Sequence, residues 1–261
     1  MERRRYALRL AYDGRAFRGF QRQPGLPTVQ EALEAALRSL GVTGPLQVAA
    51  RTDAGVSALD QVVSFSARID LDPDGLRRAV NQATPDALVC LAAARAPASF
   101  HARASAVSRR YVYLVGAPPP PAVAPWCWTL PDERAFPGLA CGIPDASLLR
   151  EALAHAVGEH DFIGFARPGD QRGSIRTLTG VEVIAAADMP LLAVVLEGRG
   201  FLRAMVRNLV GTAVAAGLGL APSTVIRDLL TRRERYRGVR APGWGLTLAC
   251  VSYPPGTLDW H

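Results

Sequence analysis

Two hydrophobic periods take turns along this chain, one of two residues and one near 3.6, and that interleaving restricts it to folds mixing sheet and helix. Residues 5–12, Arg-Tyr-Ala-Leu-Arg-Leu-Ala-Tyr, alternate as a half-buried strand does. A loop with Asp13, Gly14, Gly19 and Gly25 follows. Thr28 and Glu31 then form a capping box, Thr-x-x-Glu, in front of a helix running to Leu40. Val29, Leu33, Ala36, Leu37 and Leu40 make its apolar face. A short strand at 46–50, a strand at 61–67, a helix at 73–82 and a strand at 88–95 complete the first set. The second set reads as a strand at 107–115, a helix at 146–157, strands at 175–186 and 191–198, helices at 201–216 and 223–232, and a last strand at 246–253. Between them a Pro-rich stretch, 118–121 and on to 144, predicts a long surface loop. The expected organisation is therefore an N-terminal α+β half over 1–116, a Pro-rich loop over 117–144 and a C-terminal α+β half over 145–261.

The 261 residues, 49% of them hydrophobic, suffice for a sizeable core. No apolar run approaches the ~20 residues that cross a bilayer. The opening Met-Glu-Arg-Arg-Arg-Tyr lacks the apolar centre of a signal peptide, so a cytoplasmic protein is expected. Cys90, Cys127, Cys141 and Cys250 form no Cys-x-x-Cys pair and have no His at ligand spacing. They read as four buried thiols, with neither a zinc site nor structural disulfides.

The net charge is +7, and every one of the 30 basic residues is Arg. Arginine forms bidentate contacts with phosphate and stacks on bases, although a GC-rich genome would also favour it. Its distribution is uneven. Residues 1–23 hold seven Arg against Glu2 and Asp13. Residues 95–110 hold Arg95, Arg103, Arg109 and Arg110 with no acid, and residues 199–240 hold nine Arg against Asp228 and Glu234. Such clusters serve equally as a solvated surface or as the lining of a groove for a polyanion.

Arg51-Thr52-Asp53-Ala54-Gly55-Val56 lies between two apolar segments, and alone it reads as a plain turn. The rest of the chain changes that reading. The segment resembles the Gly-Arg-Thr-Asp-Ala-Gly-Val-His-Ala signature of the tRNA pseudouridine synthase A family. In the same order come Tyr12-Asp13-Gly14 with Gly19-Phe20-Gln21, Thr28-Val29-Gln30, Phe100-His101-Ala102-Arg103, Ser108-Arg109-Arg110-Tyr111-Val112-Tyr113, His160-Asp161-Phe162, Met205-Val206-Arg207-Asn208 and Gly245-Leu246. The resemblance spans essentially the whole chain. It departs at Ala50 for Gly, at Ser57 for His, and at Ala204 for the His common before Met205.

The resemblance implies a pseudouridine synthase fold: two similar α/β-sandwich halves sharing a mixed, mainly antiparallel sheet with a central cleft. It implies a homodimer that isomerises uridine in the anticodon stem-loop of tRNA, at positions 38–40, with no cofactor and no metal. Asp53 would be the catalytic carboxylate, as nucleophile or base. It would need to be ionised, and a nearby cation favours that form. The match at Met-Val-Arg-Asn makes Arg207 that cation, on a helix where Arg203, four residues earlier, shares its face. Tyr111 would stack on the extruded base, with Leu246 as the apolar residue opposite. Tyr113, two residues along the same strand, keeps a core reading. Arg51, Arg103 and the loop residues Arg15, Arg18, Gln21 and Arg22 are candidate RNA contacts. His160 reads as a structural histidine after a helix, and His101 either faces RNA or fills a turn.

Other classes fit less well. A non-catalytic RNA-binding protein has no need of Asp53, Tyr111 and Arg207 together. A methyltransferase needs a glycine-rich cofactor loop and a deaminase needs zinc ligands, and the sequence has neither. A pseudouridine synthase with shifted RNA targets remains an alternative.

Overall fold

The computed structural model describes residues 3–139, 142–167, 173–232 and 238–261. In chain order the strands and helices are β1 (Arg4–Tyr12), α1 (Val29–Ser39), β2 (Gln47–Val48), β3 (Ser57–Ala67), α2 (Pro73–Ala83), β4 (Leu88–Ala96), β5 (Ser108–Gly116), β6 (Trp128–Thr129), α3 (Ala146–Ala154), β7 (Gly158–Asp161), β8 (Ile175–Ala185), β9 (Leu191–Gly198), α4 (Met205–Gly217), α5 (Val225–Arg232) and β10 (Leu246–Ser252). The chain forms an α+β protein of two compact units, Met1–Arg109 with Leu248–His261, and Arg110–Thr247. Residues 248–261, read from the sequence with the C-terminal half, thus belong to the first unit.

In the first unit the strand order is β4-β1-β3-β10, with β2 also on β3. β1 runs antiparallel to both neighbours, from Arg4↔Ala67 to Leu10↔Gln61 on β3 and from Arg5↔Ala96 to Tyr12↔Leu88 on β4. Its period-two pattern does what the sequence predicts, burying Tyr6, Leu8 and Leu10 completely. The helices present their apolar faces to the core, Val29, Leu33, Ala36 and Leu37 from α1, Leu76 and Val80 from α2. Each Val or Leu among them contributes about 1.5–3 kcal/mol on burial. Thr28 caps α1 as the sequence predicts, since Glu31 N donates to Thr28 Oγ1 at 3.3 Å. Asp72 does the same for α2, accepting from Gly75 N at 2.7 Å, with Pro73 in the first turn.

β3 begins at Ser57, four residues before the expected strand. Its first turn of sequence, Ser-Ala-Leu-Asp, looks too polar for a central strand. Its buried carboxylate is satisfied, however. Asp60 accepts from Arg9 Nε at 2.7 Å and from Val251 N at 3.2 Å.

In the second unit the order is β5-β9-β8-β7, with β6 parallel to β5. The Pro-rich stretch is not merely a surface loop. Trp128 of β6 pairs with Val115, is 1% exposed, and stacks on Phe136 with ring centroids 5.7 Å apart. Its indole Nε1 donates to Asp132 at 2.8 Å, so the loop folds around a buried tryptophan.

α4 starts at Met205, not at residue 201. Ala204 sits at φ 62°, a left-handed conformation that interrupts the helix on its N-terminal side. Arg203 therefore lies in the preceding turn and shares no helix face with Arg207. Every residue of α4 except Arg207 and Ala215 is buried. The Gly158–Asp161 strand was also unforeseen, so His160 stands on a strand, its Nε2 3.0 Å from the Val157 carbonyl.

Cys90 and Cys127 are buried as expected, whereas Cys250 is only partly so and Cys141 lies outside the described residues. No helix among the described residues is long and apolar enough to cross a membrane.

Candidate active-site residues

The loop carrying Asp53 is built from two crossing segments of the first unit. Val56 N donates to the Asp53 carbonyl at 3.1 Å, closing a turn whose third residue, Gly55, has φ 80°. That positive φ is the requirement of a type II turn and explains the Asp-Ala-Gly order. The Asp13–Gln21 segment packs directly on this turn. Phe20 N donates to the Thr52 carbonyl at 3.1 Å. A Cβ on Gly14 would lie 2.2 Å from the Val56 carbonyl carbon, and one on Gly19 would lie 3.0 Å from the Thr52 oxygen. Backbone approach that close admits only glycine.

Ser57 joins the same two segments by accepting the Gly14 amide at 3.0 Å. A short hydroxyl thus buttresses the loop at the position where the chain departs from the signature it resembles. Arg51 and Ala54 are exposed, Thr52 is buried and Asp53 is half-buried, which leaves the carboxylate on a fixed backbone at the rim of the core.

The candidate RNA contacts on the neighbouring loop are exposed but not uniform. Arg15 is held by Asp13 through Nη2 at 2.6 Å and Nε at 3.0 Å, and Arg22 pairs with Glu34. Arg18 and Gln21 are exposed beside them. Arg103 is exposed on a turn in which His101 Nδ1 accepts from Arg103 N and Ala104 N at 3.1 and 3.3 Å. Through Nδ1, His101 fills that turn.

Sequence reasoning missed Arg109 as a structural element. It is 6% exposed, and its guanidinium donates to three carbonyls, those of Ala49 at 3.1 Å, Arg103 at 2.7 Å and Ala106 at 3.3 Å. One buried cation thereby ties the strand entering Arg51 to the turn carrying Arg103. The signal was present, because Arg109 shares the inward phase of Tyr111 and Tyr113 on β5.

In the second unit, Tyr111 is 7% exposed and meets the Phe201 ring edge-on at 5.1 Å. Tyr113 is fully buried, donates to the Pro242 carbonyl at 2.9 Å and packs against Trp128. A Cβ on Gly245 would stand 2.6 Å from the Tyr113 ring, so glycine lets the residues just before Leu246 close onto β5. Leu246 itself is 4% exposed.

Arg207 is half-buried and its Nε donates to the Ala241 carbonyl at 2.7 Å, while Ala241 N returns a bond to the Arg207 carbonyl at 3.2 Å. The buried Asn208 amide donates to the Phe165 carbonyl at 2.7 Å and accepts from Arg240 Nε at 3.1 Å. Met-Val-Arg-Asn is thus a junction for three backbone segments. Asp53 and Arg51 stand in the first unit, and Tyr111, Arg207 and Leu246 in the second. Among the described residues no group of three or more His, Cys, Asp or Glu could hold a metal ion.

A family model described as tRNA pseudouridine synthase matches residues 152–254. The tRNA pseudouridine synthase A of Methylacidiphilum infernorum is 37% identical over 258 residues, 96% of each chain. That of Methylobacterium nodulans is 38% identical over 262 residues, 98% of each chain, and that of Frankia casuarinae is 38% identical over 255, covering 96% of this chain and 90% of its own. A solved H/ACA ribonucleoprotein bound to a substrate RNA is similar at 14% identity and a TM-score of 0.33, covering 78% of this chain and 44% of that one, too slight a likeness to bear on the fold. With identities of this size over nearly its full length, the chain belongs to the tRNA pseudouridine synthase A family.

Proposed function

We propose that this protein isomerises uridine to pseudouridine in the anticodon stem-loop of tRNA, at positions 38–40, with Asp53 as the reacting carboxylate. The observation that carries the reading is the Asp53 turn, a half-buried carboxylate on a backbone fixed by Gly55, Gly14 and Gly19. Family membership supplies the reaction class. The N1–C1′ bond of uridine breaks, the base turns, and a C5–C1′ bond forms. The C5 proton is lost to solvent and N1 gains one, so nothing is oxidised or reduced. Asp53 acts at C1′, at C6 or on the 2′ proton, and each of these roles uses its ionised form. Arg207 is its proposed cationic partner on the strength of the Met-Val-Arg-Asn match.

The target nucleotide must leave its stack before its sugar is reachable. Tyr111 is proposed to stack on the extruded base with Leu246 opposite, and Arg51, Arg103, Arg18 and Gln21 to touch the RNA backbone. Arg15 and Arg22 would join them by exchanging Asp13 and Glu34 for phosphate. A cytoplasmic homodimer is the proposed working form.

Mapping pseudouridine after incubating purified protein with unmodified tRNA tests the substrate. Pseudouridine at positions 38–40 is the expected result. Modification confined to other positions would leave the enzyme class standing and overturn the target.

A further inference from the structure

We infer that Gln61, Tyr12 and Thr52 form a buried positioning relay that fixes the backbone entering Asp53 and thereby sets the rate of the chemical step. This rests on Asp53 being the reacting carboxylate.

Gln61 lies on β3 with no exposure, and its amide reads both polar atoms of one residue. Its Oε1 accepts from Ala50 N at 3.2 Å, and its Nε2 donates to Ala50 O at 2.7 Å. The second Nε2 hydrogen goes to the Tyr12 hydroxyl at 3.2 Å. These three partners fix the amide's orientation, since a flipped amide would set donor against donor and acceptor against acceptor at Ala50. The Tyr12 hydroxyl, which accepts from Gln61, shares a second hydrogen bond with Thr52 Oγ1, 2.8 Å away, in which either oxygen can donate. Burial pushes the Tyr12 hydroxyl up to about 12, so it stays protonated at any working pH.

The relay thus grips residue 50 by its main chain and residue 52 by its side chain, while Phe20 N holds the Thr52 carbonyl. Asp53 follows immediately. Apolar residues of the same shape would fill this space without burying an amide and two hydroxyls. Three buried polar groups that satisfy one another add directional constraint more than cohesion. That constraint falls on the two residues before the reacting group, where ångström displacements cost rate.

The test uses the full-length protein and the variants Tyr12→Phe, Thr52→Val and Thr52→Ser, with Asp53→Asn in parallel. Single-turnover rate constants at saturating tRNA, tRNA dissociation constants and melting temperatures are measured for each. Tyr12→Phe and Thr52→Val should each lower the rate constant roughly 10- to 100-fold, with tRNA affinity within about twofold. Thr52→Ser, which keeps the hydroxyl, should stay within about threefold of wild type, and the Tyr12→Phe/Thr52→Val double variant should be no slower than the worse single. Unchanged rate constants, losses that track melting temperature or affinity, or additive losses in the double variant would overturn the relay. The Asp53→Asn arm separates the two readings. If it is active, the assignment of Asp53 fails; if it is inactive while Tyr12→Phe runs at full rate, only the relay fails.

Discussion

Replacing Gly211 by Ala should reverse the sign that helix propensity predicts. Gly211 lies inside α4, where Gly→Ala ordinarily gains about 1 kcal/mol. Here the new Cβ would stand 1.9 Å from the Val239 carbonyl oxygen, against the 3.4 Å at which ordinary contact begins. The segment at 239–241 must therefore retreat by about 1.5 Å. Overpacking of that kind costs about 1–3 kcal/mol. The retreat also stretches the two bonds between Arg207 and Ala241, at 2.7 and 3.2 Å. Their loss adds about 1–3 kcal/mol together. After the propensity gain, the net is a destabilisation of about 1–5 kcal/mol. Urea titration followed by circular dichroism reads it directly. Activity at saturating tRNA should fall as well, since Arg207 loses the carbonyl that orients it. A Gly211→Ala protein as stable as wild type, or more so, would refute the packing of 239–241 on α4.

Tyr111→Ala should cost activity beyond its effect on folding, because stacking on an extruded base is worth roughly 1–3 kcal/mol. Tyr113→Ala should instead show as a lowered melting temperature, and equal activity losses that follow melting temperature in both variants would return Tyr111 to the core. Burial pushes the Cys90 thiol up to about 12 and Cys127 to about 11, so at pH 8 about one molecule in a thousand or fewer carries either thiolate. Native protein treated with iodoacetamide at that pH and mapped by mass spectrometry should be unlabelled at both, and rapid labelling of either would contradict its burial.

The sequence reveals what local rules decide. The Thr28 cap of α1, the helix at 73–82 and the alternation of β1 each follow from a few neighbouring residues, and each is present. What stayed hidden depends on partners far along the chain. Arg109 looks like one more surface arginine until the carbonyls of Ala49, Arg103 and Ala106 surround it. The start of β3 is masked by Asp60, whose partners Arg9 and Val251 lie 51 and 191 residues away. The helix expected from residue 201 is cut short by a backbone dihedral at Ala204, which composition does not announce. The candidate site divides the same way. The signature Arg51–Val56 is legible as a resemblance, whereas the support under it from Tyr12, Gln61 and Ser57 emerges only from the fold.

The central claim is that Asp53 performs the chemistry on a tRNA the protein already holds. Asp53→Asn keeps the shape of the side chain and removes its charge. The decisive measurement is tritium release from tRNA carrying C5-tritiated uridine, under single-turnover conditions, beside the dissociation constant of the same variant. The account predicts no release above background with tRNA affinity nearly intact. Release within about tenfold of the wild-type rate would take the catalytic role away from Asp53.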